Sequence, residues 1–583
     1  MRSISKYFPF VNWFPMNRQT LQADLLSGIT VALVLIPQSM AYANLAGLPA
    51  YYGLYAAFLP GACAALFGSS KQLATGPVAV VSLLTASALL PFAEAGSEQF
   101  VSLAILMSFL IGIVQLILGF FRLGVVVNFL SHPVILGFTN AAALIIGLSQ
   151  LSKIFGVKMG RSEHFLNDIW GVFQQLNTTH WPTFIFGVIA FTIMFGLKKT
   201  RPKYPNVLIA VVLTTLLSWS LGFQEMGGKV VGEIPQGLPS IALPTFHLDL
   251  INNLFSSAII IALVGFMEAI SIAKAMAART KDCLNPNQEL IGQGIGNIIG
   301  SLTQAYPTSG SFSRSAVNID AGAKTGLSSI FTSLMVLITL LYLTPLLFFL
   351  PEAVLAAVIM MAVVGLINVQ AIQHAWHANR HDGISALVTF FATLGFAPHL
   401  DEGIMVGAGL AILLYLYRTM RPRVATLGLY PDGTLRDIAI HPDLPTDPKI
   451  IVVRFDGQLY FANVSYFEEM LLAAVATNPN AKYLLVVGDG INQLDASGEE
   501  VIRHIAIRLQ KIGITIIFSG LKRQVLNVLH ATGLFELLGG EANLFATEQI
   551  ALINIYERLG DKTNHPLLFS MAMEKENLID HAA

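Results

Sequence analysis

From Leu25 to Ser152, the only ionisable side chains besides His132, Cys63 and the tyrosines are Lys71, Glu94, Glu98 and Arg122. All four fall where loops or helix ends are expected. Between them lie runs of about twenty mostly apolar residues, long enough to cross a hydrocarbon core of about 30 Å. Similar runs continue to Tyr417. Hydrophobic residues make up 54% of the chain and charged ones 12%, against roughly 25% charged in a soluble protein. This is the pattern of a polytopic α-helical membrane protein.

No cleavable signal peptide is expected. The first residues, with Arg2, Lys6, Trp13 and Arg18, are amphipathic and lead straight into the first span. Residues 1–21 are read as a cytosolic N-terminal segment. Cys63 and Cys283 are too few for a disulfide framework or a multi-cysteine metal cluster.

Spans are read near 22–46, 50–67, 76–92, 100–120, 124–151, 181–197, 205–222, 251–273, 286–301, 310–322, 325–349, 352–369, 383–398 and 400–417. That makes about fourteen, within a transport domain of residues 22–423. Cytoplasmic loops carry an excess of Lys and Arg, which tests the topology. With a cytoplasmic N-terminus, Lys198, Lys199, Arg201 and Lys203 return to that side, as do Lys274, Arg279 and Lys281, then Arg418, Arg421 and Arg423. The stretch 223–250, poor in basic residues and rich in Gly and Pro, reads as an external loop. Lys153, Lys158 and Arg161 fall outside against this rule, partly offset by Glu163 and Asp168.

The third and tenth spans are short and broken. Each opens at a Gly/Pro break among small polar residues: Thr75-Gly76-Pro77-Val78-Ala79 and Thr308-Ser309-Gly310-Ser311-Phe312-Ser313-Arg314. A helix that starts inside the bilayer points unpaired N–H groups and a positive dipole end at whatever lies before it. Two such starts facing each other make a pocket suited to an anion. With seven spans per half, the two breaks hold the same place in each. An odd number of spans inserts the halves upside down relative to one another, so the order of hydropathy implies a seven-plus-seven inverted repeat.

After Arg423 the character changes. Residues 435–560 read as a soluble α/β domain, with strands at 450–455, 459–461, 483–487 and 514–519 and helices near 464–476, 497–511 and 521–531. Its position after a basic anchor places it in the cytoplasm. The tail 561–583 is expected to be polar and disordered.

Within the spans, Glu268 is the only charged residue between Leu254 and Ala273. Carboxylates there are costly and face a cavity or a partner, which makes Glu268 a candidate proton carrier or cation ligand. The plainer alternative is a carboxylate reaching water or pairing with Lys274. Arg314, in the first turn of the tenth span, adds a full charge to a site already positive from helix ends, and its fork matches oxyanions. Its alternative is an arginine that braces the helix against a neighbouring carboxylate. Pro37 interrupts the first span, and Gln38 and Tyr42, one turn apart, line a cavity or bond across helices. Asp24, Asn128, Asn140 and Gln150 are read as structural helix-end or interhelical bonds. His374, His377 and His381, spaced to share a helix face, are read as interfacial rather than metal-binding. Gly322-Ala323-Lys324-Thr325 lacks the glycine spacing of a nucleotide loop, so transport draws on a gradient rather than ATP.

Pro37-Gln38-Ser39-Met40-Ala41-Tyr42-Ala43, then Gly47-Leu48-Pro49 and Tyr52-Gly53-Leu54-Tyr55, resemble the signature of the sulfate permease (SulP) family. Thr75-Gly76-Pro77-Val78-Ala79-Val80-Val81-Ser82 and Ser311-Phe312-Ser313-Arg314-Ser315-Ala316-Val317-Asn318 resemble its third and tenth helices. The second string is closer to sulfate permeases than to sodium–bicarbonate members. The C-terminal part resembles the STAS domain that completes these proteins, and the likeness covers residues 15–560. It implies a fourteen-span, seven-plus-seven fold with core and gate domains, a homodimer, and an elevator-like movement of the core. It places the anion at Gln38, Val78, Ala79, Phe312, Ser313 and Arg314, and cation coupling at Glu268. Soluble STAS relatives that bind anti-sigma factors carry Asp-Ser-Ser-Gly with the first serine phosphorylated. Here the string is Asp495-Ala496-Ser497-Gly498, which implies that this switch is absent.

The expected function is secondary active transport of an inorganic anion, sulfate first, coupled to protons or alternatively to sodium. Bicarbonate, dicarboxylate or chloride exchange is the runner-up, and a membrane-anchored STAS signalling protein is the competitor from another class. No enzymatic activity, cofactor, metal or nucleic-acid partner is expected. The chain is expected in the inner or plasma membrane, multi-pass, with both termini cytoplasmic.

Overall fold

Lipid offers a backbone no hydrogen bonds, so an apolar chain must satisfy its own N–H and C=O groups along each crossing. The computed structural model, which describes residues 8–14, 16–124, 131–160, 164–201, 204–246, 248–560 and 565–568, meets that demand almost entirely with helices. The expectations for Arg2, Lys6, Asn128, Arg161, Glu163 and Lys203 concern residues outside those described. The chain divides into two units, Met1–Ile412 and Leu413–Ala583.

The first unit begins with α1 (Arg18–Leu45), α2 (Tyr51–Phe67), the short strand β1 (Ala74–Gly76) and α3 (Ala79–Leu89). There follow α4 (Glu98–Phe120), α5 (His132–Ser149), α6 (Leu151–Phe155), α7 (Phe165–Gln174), α8 (Trp181–Thr200) and α9 (Asn206–Ser220). Then come α10 (Leu248–Thr280), α11 (Pro286–Leu302), strand β2 (Ser309–Ser311), α12 (Phe312–Asp320) and α13 (Leu327–Ile338). α14 (Glu352–Val364), α15 (Val369–Ala378), α16 (Arg380–Phe396) and the first part of α17 (Leu400–Met420) complete it. Among the described residues, eight stretches are long and apolar enough to cross a membrane, and α2, α3 and α9 are shorter apolar helices.

Three details depart from the sequence reading. Pro37 does not interrupt the first span: α1 runs unbroken through it, because one missing backbone bond is tolerated where neighbouring helices bury the site. The three histidines do not share a helix. α15 ends before Asn379, whose side chain accepts the His381 N–H at 2.9 Å and starts α16, while His377 Nδ1 lies 2.7 Å from the Gln373 carbonyl. The third and tenth spans open on strands rather than directly on helices. Asp24 and Asn140 do make structural bonds. The Asp24 carboxylate accepts the Lys324 and Thr325 N–H groups at 2.7 and 3.1 Å and the Thr325 hydroxyl at 2.6 Å. Asn140 accepts the Asn368 N–H at 2.8 Å.

Helix contacts sort this unit into two groups. In the first, α11 lies against α2 and α4, α13 against α1 and α2, and α10 against α3, α4 and β2. In the second, α14 packs on α5, α6, α8 and α9, and α16 on α5. Approach is very close at the last contact: a Cβ on Gly137 would fall 2.1 Å from the Ala386 carbonyl oxygen, so only glycine fits. The groups meet along a seam where α1 touches α14 and α9, and α3 touches α5.

In the second unit a six-stranded sheet has the order β4-β3-β5-β6-β7-β8. Its strands are β3 (Arg423–Leu429), β4 (Leu435–Asp437), β5 (Ile450–Asp456), β6 (Tyr483–Val487), β7 (Thr515–Ser519) and β8 (Leu544–Phe545). β5 to β8 are parallel, and β3 is antiparallel to both neighbours. Alternation along β5 sends Ile451, Val453 and Phe455 to one face and Ile450 and Val452 to the other. The first face is covered by α18 (Val464–Ala476), α19 (Ala496–Lys511), α20 (Arg523–Thr532) and α21 (Leu534–Leu537), the second by α22 (Glu548–Leu559). Burial on both faces explains the unbroken apolar runs of the parallel strands. The sheet begins at Arg423, ahead of the expected start at 435. The segment 459–461, read as a strand, makes a single bridge from Leu459 to Leu494 instead. Nor is the tail wholly free: Leu567 is buried against the α22 face, and its N–H reaches the Tyr556 hydroxyl at 3.3 Å.

Candidate anion site

The two sequence breaks meet. β1 and β2 form an antiparallel ladder pairing Ala74 with Ser311, Thr75 with Gly310 and Gly76 with Ser309. The ladder satisfies backbone groups that lipid could not, so non-helical chain is tolerated at this depth. α3 follows β1 and α12 follows β2, so the antiparallel pairing sends the two helices away from the ladder in opposite directions.

Among the described residues, neither helix start is capped by a side chain. Val78, the residue before α3, is extended at φ −137°, and its side chain has no acceptor. Ser311, before α12, makes no cap either, and its Oγ lies 3.5 Å from Ser313 Oγ. The first-turn N–H groups of both helices therefore keep their positive ends for something else.

Neighbouring elements fasten the ladder in place. A Cβ on Gly61 of α2 would lie 2.8 Å from the Thr75 carbonyl oxygen. Ser315 Oγ accepts the Ala74 N–H at 2.9 Å, tying α12 back to β1. Ser309 Oγ donates to the Gly265 carbonyl of α10 at 2.7 Å, and a Cβ on Gly310 would meet Ala269 Cα at 3.1 Å. Glu268 follows Gly265 by three residues, which puts it on the face of α10 that contacts β2.

Sequence reasoning placed α11 as a span but missed its polar face. Glu289, Gln293 and Asn297, four apart, fall on one face of it and are all buried. Glu289 accepts the N–H groups of Ser69 and Ser70, each at 2.9 Å, ahead of β1. Gln293 donates to Thr75 Oγ1 at 2.7 Å within β1. Asn297 accepts from the Thr308 N–H and hydroxyl at 2.9 and 3.0 Å, and donates to the Thr308 carbonyl and Gln115 Oε1 at 3.2 and 3.0 Å. The signal was available as polar residues at helical spacing in a glycine-rich span. Asn297→Ala is expected to lower stability by about 2–4 kcal/mol, because it strands several buried partners at once. Thermal melting of the purified protein measures this, and an unchanged melting temperature would remove Asn297 from the scaffold.

The sequence-predicted residues gather around this frame. Val78 and Ala79 are buried at the start of α3, and Gln38 and Tyr42 are buried one turn apart on α1. Gln38 Oε1 has no hydrogen-bond partner among the described residues. Phe312 and Ser313, at the start of α12, are exposed. Arg314 is 0% exposed, yet Nε, Nη1 and Nη2 all lack a partner among the described residues. Its guanidinium lies against β1: a Cβ on Gly76 would stand 3.3 Å from Nη2. Tyr42, Tyr306 and Glu268 lie within electrostatic reach of it. Glu268 forms no ion pair with Arg314 or Lys274 among the described residues, and its Oε2 is buried without a partner. Tyr306, also missed from sequence, is fully buried with its hydroxyl 3.3 Å from Ser82 Oγ.

Known proteins resemble this chain in sequence and fold. Residues 21–389 match the sulfate permease family and residues 441–551 the STAS domain. The chloroplastic sulfate transporter 4.1 of Arabidopsis thaliana is 36% identical over 557 residues, spanning 92% of this chain and 81% of the relative. High affinity sulfate transporter 2 of Stylosanthes hamata is 32% identical over 565 residues, spanning 93% and 85%. The structure of the murine Solute Carrier 26 family member A9 anion transporter superposes with a TM-score of 0.87 at 24% identity, over 95% of this chain and 94% of that one. The transmembrane domain of a cyanobacterium bicarbonate transporter, BicA, gives 0.57 at 23% identity, over 68% and 98%. Both likenesses are of fold.

A bundle of apolar helices with broken spans, followed by a STAS domain, defines a multi-pass membrane transporter rather than an enzyme. The chain belongs to the sulfate permease family, and its cargo is an anion.

Proposed function

We propose that this protein takes up sulfate with protons, holding the anion between the starts of α3 and α12. The observation that carries this reading is Arg314, a fully buried guanidinium with no protein partner among the described residues. Burying an unpaired charge costs several kcal/mol, and an oxyanion on a planar fork offsets that cost well. On this reading the anion rests among Gln38, Tyr42, Val78, Ala79, Phe312, Ser313 and Arg314. Sulfate is preferred because the named relatives above 30% identity are sulfate transporters. Glu268 carries the coupling proton, with sodium as the alternative ion.

The two helix groups are the core and gate of an elevator, the core sliding along the seam with the anion. The seven-plus-seven repeat, a homodimer, a plasma or inner membrane location and cytoplasmic termini belong to the same reading. So does the division into transport domain 22–423 and STAS domain 435–560.

Labelled sulfate uptake into liposomes holding the purified protein tests it. Accumulation under an inward proton gradient, with other anions competing more weakly, is the expected result. Downhill flux of bicarbonate, a dicarboxylate or chloride, indifferent to the gradient, would replace it with exchange. No flux of any anion would leave the STAS domain as the working part.

A further inference from the structure

We propose that the seam between the helix groups holds a second ligand site, for an amphipathic organic anion, at the end of α3 away from Arg314. A cavity of 820 Å³ lies there, lined by Leu83 of α3 and Leu90 just after it, and by Ile145 of α5, Gln150 at the α5–α6 junction and Lys153 of α6. Along α3 the cavity begins at Leu83, about 6 Å of helix from Ala79, and runs to the helix end, about 15 Å away. Small-molecule sites span about 300–1,000 Å³, and this cavity is far roomier than a bare oxyanion needs.

Three features specify the ligand. Gln150 is 2% exposed, and its Oε1 has no hydrogen-bond partner among the described residues, while its amide donates to Ser149 Oγ at 2.8 Å. Lys153 makes no hydrogen bond or ion pair among the described residues, and Glu352 and Lys229 act on it only through space. Of the other charged residues lining the cavity, Glu94 and Asp168 already have interactions of their own. His399 is exposed at the edge. The ammonium takes a carboxylate, the unmet acceptor takes an O–H or N–H, and the apolar walls take a hydrocarbon body. A hydrophobic carboxylic acid bearing one further donor supplies all three; sulfate supplies only the charge.

The two walls belong to different helix groups, so a bound molecule ties them together. If the groups slide, as proposed above, occupancy arrests transport. That consequence rests on the elevator reading, whereas binding does not.

The probe is 2-naphthoate, which carries the charge and the apolar body and leaves out only the donor to Gln150, with neutral 2-naphthalenemethanol as control, on the full-length protein. 2-Naphthoate is expected to raise the melting temperature saturably, undisturbed by saturating sulfate, while the neutral control does not. Lys153→Met weakens half-saturation about tenfold, the worth of one charge-assisted hydrogen bond. Leu83→Trp, which fills the cavity, removes binding. Competition by sulfate, or indifference to both substitutions, overturns the site. In liposomes 2-naphthoate then lowers the maximal sulfate flux without changing KM. Binding that leaves flux untouched upholds the site and counts against the sliding seam.

Discussion

Arg314→Gln is expected to reduce sulfate uptake at least a hundredfold without destabilising the protein. Each charge-assisted hydrogen bond is worth about 1.5–3 kcal/mol, and the guanidinium offers several to one anion. Losing two of them gives roughly a hundredfold to ten-thousandfold in affinity. Stability responds differently. The side chain is 0% exposed and none of its nitrogens has a partner among the described residues, so its removal relieves a desolvation penalty. Replacing buried charge with a neutral or apolar group is often neutral or stabilising by about 1–4 kcal/mol. Arg314→Met is therefore expected to melt no lower than the parent while transporting almost nothing. Arg314→Lys restores only part of the uptake, since a point charge lacks the planar fork. Liposome flux and thermal melting decide the matter together. Uptake that persists in the Gln variant would move the anion elsewhere.

The second large effect separates coupling from binding. Glu268→Gln is expected to abolish accumulation driven by a proton gradient while sulfate-for-sulfate exchange stays within a few-fold of the parent. The amide keeps the shape of the side chain and its hydrogen-bonding reach, but it cannot exchange a proton at any physiological pH. Its place on α10, between the Gly265 and Ala269 contacts to β2, keeps the packing of the ladder unaffected. With the membrane potential clamped at zero, one coupled proton supports about tenfold accumulation per pH unit. That gain should fall to none in the variant. Proton-driven accumulation at the parent level in Glu268→Gln would pass the coupling role to another group.

Most of the fold was readable because hydropathy over twenty residues is a strong, local signal. The broken spans were readable too, since Gly76, Pro77 and Gly310 disrupt apolar runs that otherwise have no reason to stop. What the breaks become was not: a strand of three residues has no periodicity to detect, and its partner lies in the other half of the chain. The polar face of α11 is hard to see in sequence because Gln293 and Asn297 are neutral and carry no charge signal within a glycine-rich span. Glu289 was hidden near a helix start, where a carboxylate is unremarkable in sequence. In the soluble unit, β3 and β4 were missed because they flank the basic anchor and a Pro-rich turn. The segment 459–461 was over-read because three apolar or aromatic residues look like a strand without knowing that Asp495 fixes them, its carboxylate accepting the Phe461 N–H at 2.9 Å.

The ladder also sets the order of assembly. The Ala74 N–H is held by a hydroxyl 241 residues further along the chain, and its strand partners arrive just as late. During synthesis the first half must enter the bilayer with bare amide and carbonyl groups and wait there. Such groups are expensive in hydrocarbon, so the nascent protein needs shelter from the insertion machinery until Ser309–Ser311 emerges. A ribosome-stalled chain ending before Ser309 should remain crosslinkable to that machinery, and one extending well past Ser315 should be released.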